Sequence, residues 1–137
     1  MRILLLEDND ADARLMREAL LDLDAKVEMD HVHNVEEGRA LLRRVLETHS
    51  TPFPDLVLLD IRLPAETGID LLRFIRHQHA LKDLPCLMLT SSDREEDVRE
   101  AREAGATTYY IKPHDLDGFY ALAQELKAFW FERPRGA

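Results

Sequence analysis

Five polar residues in this 137-residue chain close short apolar runs, and their types suggest a single site. Glu7 and Asp8 follow Ile3–Leu6, Asp60 follows Leu56–Leu59, Thr90 follows Cys86–Leu89, and Lys112 follows Thr107–Ile111. Three carboxylates brought together without a counterion repel one another, and at least one pKa rises. A divalent cation relieves that repulsion. Oxygen-only ligands completed by water suit Mg²⁺ or Mn²⁺ better than zinc, which asks for histidine or cysteine. The histidines read as scattered: His31 and His33 lie near the second apolar run, His77 and His79 lie around the third helix, and His49 and His114 are isolated. A metal beside a carboxylate, an ammonium and a hydroxyl is equipped for phosphoryl transfer. The cations neutralise equatorial phosphoryl oxygens while a carboxylate attacks in line, and attack by Asp60 would give an acyl phosphate. Taken singly, Asp60 or Thr90 reads equally well as a loop acid or a helix cap; only the set, in this order, points to a site.

The elements that must position these residues alternate in period. Each short apolar run reads as a strand, and each is followed by apolar residues at helical spacing. The first helix carries Ala13, Met16, Ala19, Leu20 and Leu23, and the second follows an alternating segment over Lys26–Val32, with Asn34 and Glu37 placed for a capping box. After Asp60, Pro64 and Gly68 precede a third helix with Leu71, Leu72 and Ile75. Ser91 or Ser92 can cap a fourth helix that Gly105 stops, and Leu116 to Phe129 forms the last. Five strand–helix units with strands apolar on both faces predict a doubly wound parallel α/β sheet covered by helices. Function in such a sheet gathers at the carboxyl ends of the strands, where the five polar residues lie.

Composition bounds the rest. Twenty-seven acidic against 18 basic side chains give a formal charge of −9, which offers no electrostatic reason to bind nucleic acid. No apolar stretch is long enough for a membrane span, and no signal peptide is evident. The lone Cys86 lies in an apolar run and fits a reducing, cytoplasmic setting as a core residue. One domain over 1–137 is expected, its core ending near 129 with a short tail over 130–137, and no output domain. The connection Thr48–Asp55 is a surface loop rather than a linker.

The motifs Leu6-Glu7-Asp8, Asp60-Ile61-Arg62-Leu63-Pro64 with Gly68, Leu89-Thr90-Ser91 and Tyr109-Tyr110-Ile111-Lys112-Pro113 resemble those of CheY-like response-regulator receiver domains of two-component signalling, over essentially the entire chain. The resemblance implies a three-layer flavodoxin-like sandwich with strand order 2-1-3-4-5. It implies that Asp60 is the phosphoacceptor, that Glu7, Asp8, Asp60 and the carbonyl of Arg62 hold Mg²⁺ or Mn²⁺, and that Lys112 pairs with the phosphoryl group. The Lys112–Pro113 bond is expected to be cis. Thr90 and Tyr109 match the switch pair. The resemblance further implies that the phosphoryl donor is a sensor histidine kinase or a small phosphodonor, with autodephosphorylation but no separate substrate turnover. A protein target or a phosphotransfer protein is expected downstream.

Some positions depart from the commonest pattern: Glu7 replaces an aspartate, Thr67 stands where an acid is common, and Arg62 brings a charge to the site mouth. The stretched 48–54 loop, the Leu-Pro-Ala-Glu-Thr-Gly segment and the aromatic end are similar to single-domain regulators paired with bacterial and cyanobacterial phytochromes. Tyr110, Phe119, Trp130 and Phe131 are the expected interface residues of a homodimer. Two rivals stand beside this reading. One is a receiver-shaped interaction module that is never phosphorylated. The other is a haloacid-type phosphotransferase, which would want an acid where this chain has Arg62.

Overall fold

The computed structural model describes residues 1–48, 52–91 and 94–132, with side chains described as far as 128. Five strands, β1 (Arg2–Leu6), β2 (Glu28–Val32), β3 (Leu56–Leu59), β4 (Cys86–Thr90) and β5 (Thr108–Ile111), form one parallel sheet in the order β2-β1-β3-β4-β5. Between and after them run α1 (Asp10–Leu23), α2 (Val35–Thr48), α3 (Gly68–His77), α4 (Glu95–Glu103) and α5 (Leu116–Glu132), with one 3₁₀ turn at His79–Leu81. This is the doubly wound α/β sandwich and the strand order that the sequence implied.

Alternation along each strand splits the core into two layers. Leu4, Leu6, Val57, Leu59, Cys86 and Met88 face α2 and α3, meeting Leu42, Leu71, Leu72 and Ile75. Ile3, Leu5, Leu56, Leu58, Leu87 and Leu89 face α1 and α5, meeting Met16, Leu20, Phe119 and Leu126. β1, β3 and β4 are central and buried on both faces, which is why they read as unbroken apolar runs. Cys86 is fully buried, and desolvation pushes its thiol up to about 11, so it is an unreactive core residue.

Local chemistry sets most boundaries. Asn9 caps α1 by accepting from the Asp12 N–H at 3.0 Å, and Asn34 accepts from the Glu37 N–H at 2.8 Å while donating to the Glu37 carboxylate at 3.2 Å. β2 starts at Glu28 rather than Lys26, because Asp24 folds the preceding residues into a turn, accepting from the Lys26 and Val27 N–H groups. α4 is not capped by Ser91. It starts at Glu95, behind an extended Arg94, with Glu95, Glu96 and Asp97 at its positive end; Ser92 lies outside the described residues. Gly105, at φ 102°, ends α4 in the left-handed conformation that glycine tolerates. α5 continues to Glu132, past the expected end at Phe129.

Candidate functional site

The sheet ladder places the site before any side chain does. One residue beyond the strands, the Glu7 N–H donates to Val32 O at 3.0 Å, the Asp60 N–H to Leu6 O at 3.1 Å, and the Lys112 N–H to Thr90 O at 2.7 Å. Parallel register therefore continues past β1, β3 and β5, and three chemically active residues leave the same edge with their backbones fixed. Gly68 completes the support. A Cβ there would lie 2.0 Å from the Asp60 carbonyl oxygen, so only glycine lets the start of α3 pack against the backbone that carries Asp60.

Lys112 draws the side chains together. Its Nζ lies 2.7 Å from Glu7 Oε1, 2.9 Å from Asp60 Oδ2 and 3.3 Å from Asp12 Oδ2. The other Asp60 oxygen accepts from the Arg62 backbone N–H at 3.2 Å, and the second Glu7 oxygen accepts from the Asn9 N–H at 3.2 Å. Glu7 and Asp60 are 2% and 4% exposed, Thr90 is fully buried at the end of β4, and Asp8 faces solvent.

Burial governs the electrostatics. Desolvation, only partly offset by the Lys112 hydrogen bond and reinforced by Asp60, pushes the Glu7 carboxyl up to about 7. Desolvation also works against the Lys112 charge, but its hydrogen bonds to Glu7 and Asp60 outweigh that and hold the ammonium above its usual range. One cation among four carboxylates leaves the pocket acidic. A carboxylate oxygen from each of Glu7, Asp8 and Asp60 lies within 4.8 Å of the others, an all-oxygen donor set that fits a hard divalent cation.

Several expectations change. The Lys112–Pro113 bond is trans, as no cis peptide occurs among the described residues. The two forms of such a bond differ by only about 0.5–1 kcal/mol, and Lys112 reaches both carboxylates with the bond trans. Phe119 is not an interface residue: at 1% exposed, it fills the layer between the sheet and α1. Tyr109 and Tyr110 do face opposite layers, each half-buried. The side chains of Trp130 and Phe131 lie outside the described residues. The Arg62 guanidinium turns outward to Asp97 at 3.3 Å, while its backbone N–H serves Asp60.

The sequence reading missed Asp12, whose signal was its place in the first turn of a helix that begins just after Glu7-Asp8. It also took the histidines as scattered. His31 and His33 in fact gather with Asp10, because residues two apart leave a strand on the same face.

No helix among the described residues is long and apolar enough to cross a membrane. A sequence model of the response regulator receiver domain matches residues 3–124. The response regulator Rcp1 of Synechocystis sp. is 33% identical over 130 residues, covering 95% of this chain and 88% of that protein. The chemotaxis protein CheY of Pseudomonas aeruginosa is 34% identical over 136 residues, covering 99% of this chain and all of that one (100%). Among solved structures, the phosphorylated cyanobacterial phytochrome response regulator RcpA matches with a TM-score of 0.86 at 32% identity, over 95% of this chain and 93% of that chain. The Mn²⁺-bound form of Rcp1 matches at 0.83 and 32%, over 97% and 96%. The matched stretch runs from the first strand into the last helix and takes in every strand end that converges on the acidic pocket, so the chain belongs to the response regulator receiver family.

Proposed function

We propose that Asp60 accepts a phosphoryl group from the phosphohistidine of a sensor histidine kinase, in the presence of Mg²⁺, and that the change is read by protein partners. The observation that carries this reading is a nearly buried Asp60 carboxylate held between Lys112 Nζ and the Arg62 N–H, beside Glu7 and Asp8. An Asp60 oxygen attacks phosphorus, the P–N bond breaks, and its electron pair returns to the imidazole nitrogen, leaving an aspartyl phosphate. Glu7, Asp8, Asp60 and the Arg62 carbonyl would hold the cation, which when bound neutralises phosphoryl oxygens. Lys112 contributes from the other side, its ammonium passing from the Asp60 carboxylate to a phosphoryl oxygen. The Arg62 N–H orients the carboxylate for in-line attack.

The same reading assigns Thr90 to the hydroxyl that follows the phosphoryl group, and Tyr109 to the aromatic residue that moves with it. The output is a shift between two populations of the surface around α4, β5 and α5. A phytochrome-type kinase as the donor draws support from the similarity to cyanobacterial phytochrome response regulators. A homodimer through the C-terminal aromatics belongs to the same reading, supported by Ile111, which is 50% exposed on the edge strand β5. Light scattering that finds a monomer both with and without beryllofluoride removes the dimer.

Intact-mass spectrometry after incubation with Mg²⁺ and acetyl phosphate tests the acceptor. One added phosphoryl mass is expected, absent in Asp60→Asn and suppressed by chelator. No adduct under any condition would favour the interaction module that is never phosphorylated.

A further inference from the structure

Beside the acidic pocket, on the outer rim of the sheet, lies a second group of donors of different chemistry. Asp10 opens α1, His31 is in β2 opposite Leu5 of β1, and His33 follows the end of β2. Both imidazoles leave β2 on the same side, their ring centroids 4.3 Å apart and tilted by 39°. One nitrogen from each ring and one Asp10 oxygen lie within 4.8 Å of one another, and His33 Nε2 is 2.7 Å from Asp10 Oδ1. We propose that Asp10, His31 and His33 form a Zn²⁺ site, separate from the acidic pocket, with water as the fourth ligand.

The donor set comes first. Two imidazoles and a carboxylate suit zinc far better than magnesium or calcium, and three protein ligands plus water is a common zinc arrangement. Geometry allows it. Zinc binds nitrogen at about 2.0–2.1 Å and carboxylate oxygen at about 2.0–2.2 Å, which sets tetrahedral ligands roughly 3.3 Å apart. The His33–Asp10 pair, 2.7 Å apart, need open only by about 0.6 Å to reach that spacing, and both side chains are exposed enough to do so (47% and 74%).

The outer contacts supply a second, independent argument. His31 Nε2 lies 2.7 Å from the Glu7 carbonyl oxygen, which can only accept, so the proton sits on Nε2 and Nδ1 is left with its lone pair for the metal. On the other ring, Nε2 faces Asp10 while Nδ1 lies 3.6 Å from Glu37 Oε1. His33 thus has one nitrogen on Asp10 and the other toward a carboxylate, and His31 has one nitrogen anchored on a carbonyl oxygen, outer contacts of the kind that fix tautomer and orientation in histidine–metal sites. Arg14 and Arg17 line the same hollow as Asp10 and His31, and the Arg17 guanidinium donates to the Met29 carbonyl at 3.2 Å. Without metal, the hydrogen bond to Asp10 holds the His33 imidazolium above its usual pKa, so protons and Zn²⁺ compete for the same nitrogen.

Zn²⁺ titration of the full chain against a chromophoric chelator, with Mg²⁺ in excess, tests the site. One Zn²⁺ is expected to bind wild type and the Asp8→Asn/Asp60→Asn double variant alike. Binding should fall at least about 100-fold in His31→Gln/His33→Gln and about tenfold in Glu37→Gln. Because His33 is half-exposed, His33→Gln alone should lose the metal with an unchanged melting temperature. Co²⁺ in place of Zn²⁺ should show the intense visible bands of a tetrahedral site, lost in the same histidine variants. Wild type that binds no Zn²⁺ overturns the proposal, as does undiminished binding in the double-histidine variant. Loss in the Asp8→Asn/Asp60→Asn variant also overturns it, because the ion would then be sitting in the acidic pocket.

Discussion

Glu7 stands between two groups of ligands and serves each with a different atom. Its carboxylate belongs to the buried oxygen pocket with Asp8, Asp60 and Lys112, while its carbonyl oxygen holds His31 on the exposed rim. The pocket is fixed by backbone: strand ladders continue through Glu7, Asp60 and Lys112, and Gly68 locks α3 against Asp60. On the rim, His31 is held by the β2 ladder and the Glu7 carbonyl, while His33 and Asp10 meet through side chains alone. Burial makes the pocket costly to charge, which is why Glu7 is pushed up to about 7, whereas the rim keeps its charges in water. Two sites that share a residue can therefore differ in rigidity, dielectric and preferred metal.

The sharpest separation comes from Asp60→Asn. Phosphoryl incorporation from acetyl phosphate should fall below detection by intact mass, while Zn²⁺ affinity on the rim stays within about twofold, since among the described residues the Asp60 carboxylate bonds to Lys112 and the Arg62 N–H rather than to the rim. If Zn²⁺ binding falls in step with phosphorylation, there is one site and not two.

Gly68→Ala tests whether backbone packing holds the pocket. The new Cβ would meet the Asp60 carbonyl oxygen at 2.0 Å and its carbon at 2.8 Å, and neither backbone atom can turn aside. We expect a loss of about 3 kcal/mol in urea denaturation, at the upper end of overpacking effects, with slower adduct formation and unchanged Zn²⁺ binding. A change under about 0.5 kcal/mol would show that α3 does not clamp Asp60.

The Glu7 carboxyl offers a test in pH. Its folded pKa of about 7 lies above the ordinary value of 4.5, so between those values the folded chain holds a proton that the unfolded chain has released. Stability from this group is complete below about 4.5 and is lost as pH rises through 7, at most about 3 kcal/mol in all. His33, also raised, acts in the same direction, so the quantity to measure is the difference between wild type and Glu7→Gln. Without metal, wild type should lose more stability than Glu7→Gln between about pH 5 and pH 8. Mg²⁺ at the higher pH should restore wild type by binding the ionised form. Equal slopes would mean that Lys112, not burial, sets the Glu7 carboxyl.

The pocket was legible in sequence because each of its residues ends an apolar run, and a parallel sheet gathers such ends at one edge. Phe119 misled for a related reason. An aromatic in an amphipathic helix looks the same whether its partner is the sheet or a second chain, and only packing against Met16 and Leu20 decides. The start of α4 was illegible because a serine cap competes with three acids that stabilise the first turn without one. The rim cluster was hidden by distance in the chain. Asp10 comes from α1 and the two histidines from the end of β2, and no spacing rule joins them until β1 and β2 are paired.

The smallest effect is the coupling between the two sites. If Mg²⁺ and Zn²⁺ bind on either side of Glu7, each cation should weaken the other by Coulomb repulsion through that residue. Linkage requires the two factors to be equal. The separation in chemistry argues for a modest value, below about fivefold, because the rim is solvated and His31 meets Glu7 through a neutral carbonyl rather than the carboxylate. Zn²⁺ titrations with and without saturating Mg²⁺, repeated in reverse, give both factors. Unequal factors would show that one ion also enters the other's site. A shared factor well above fivefold would mean that the Glu7 backbone moves when either site fills, making the carbonyl contact to His31 a route between the rim and the phosphoryl pocket.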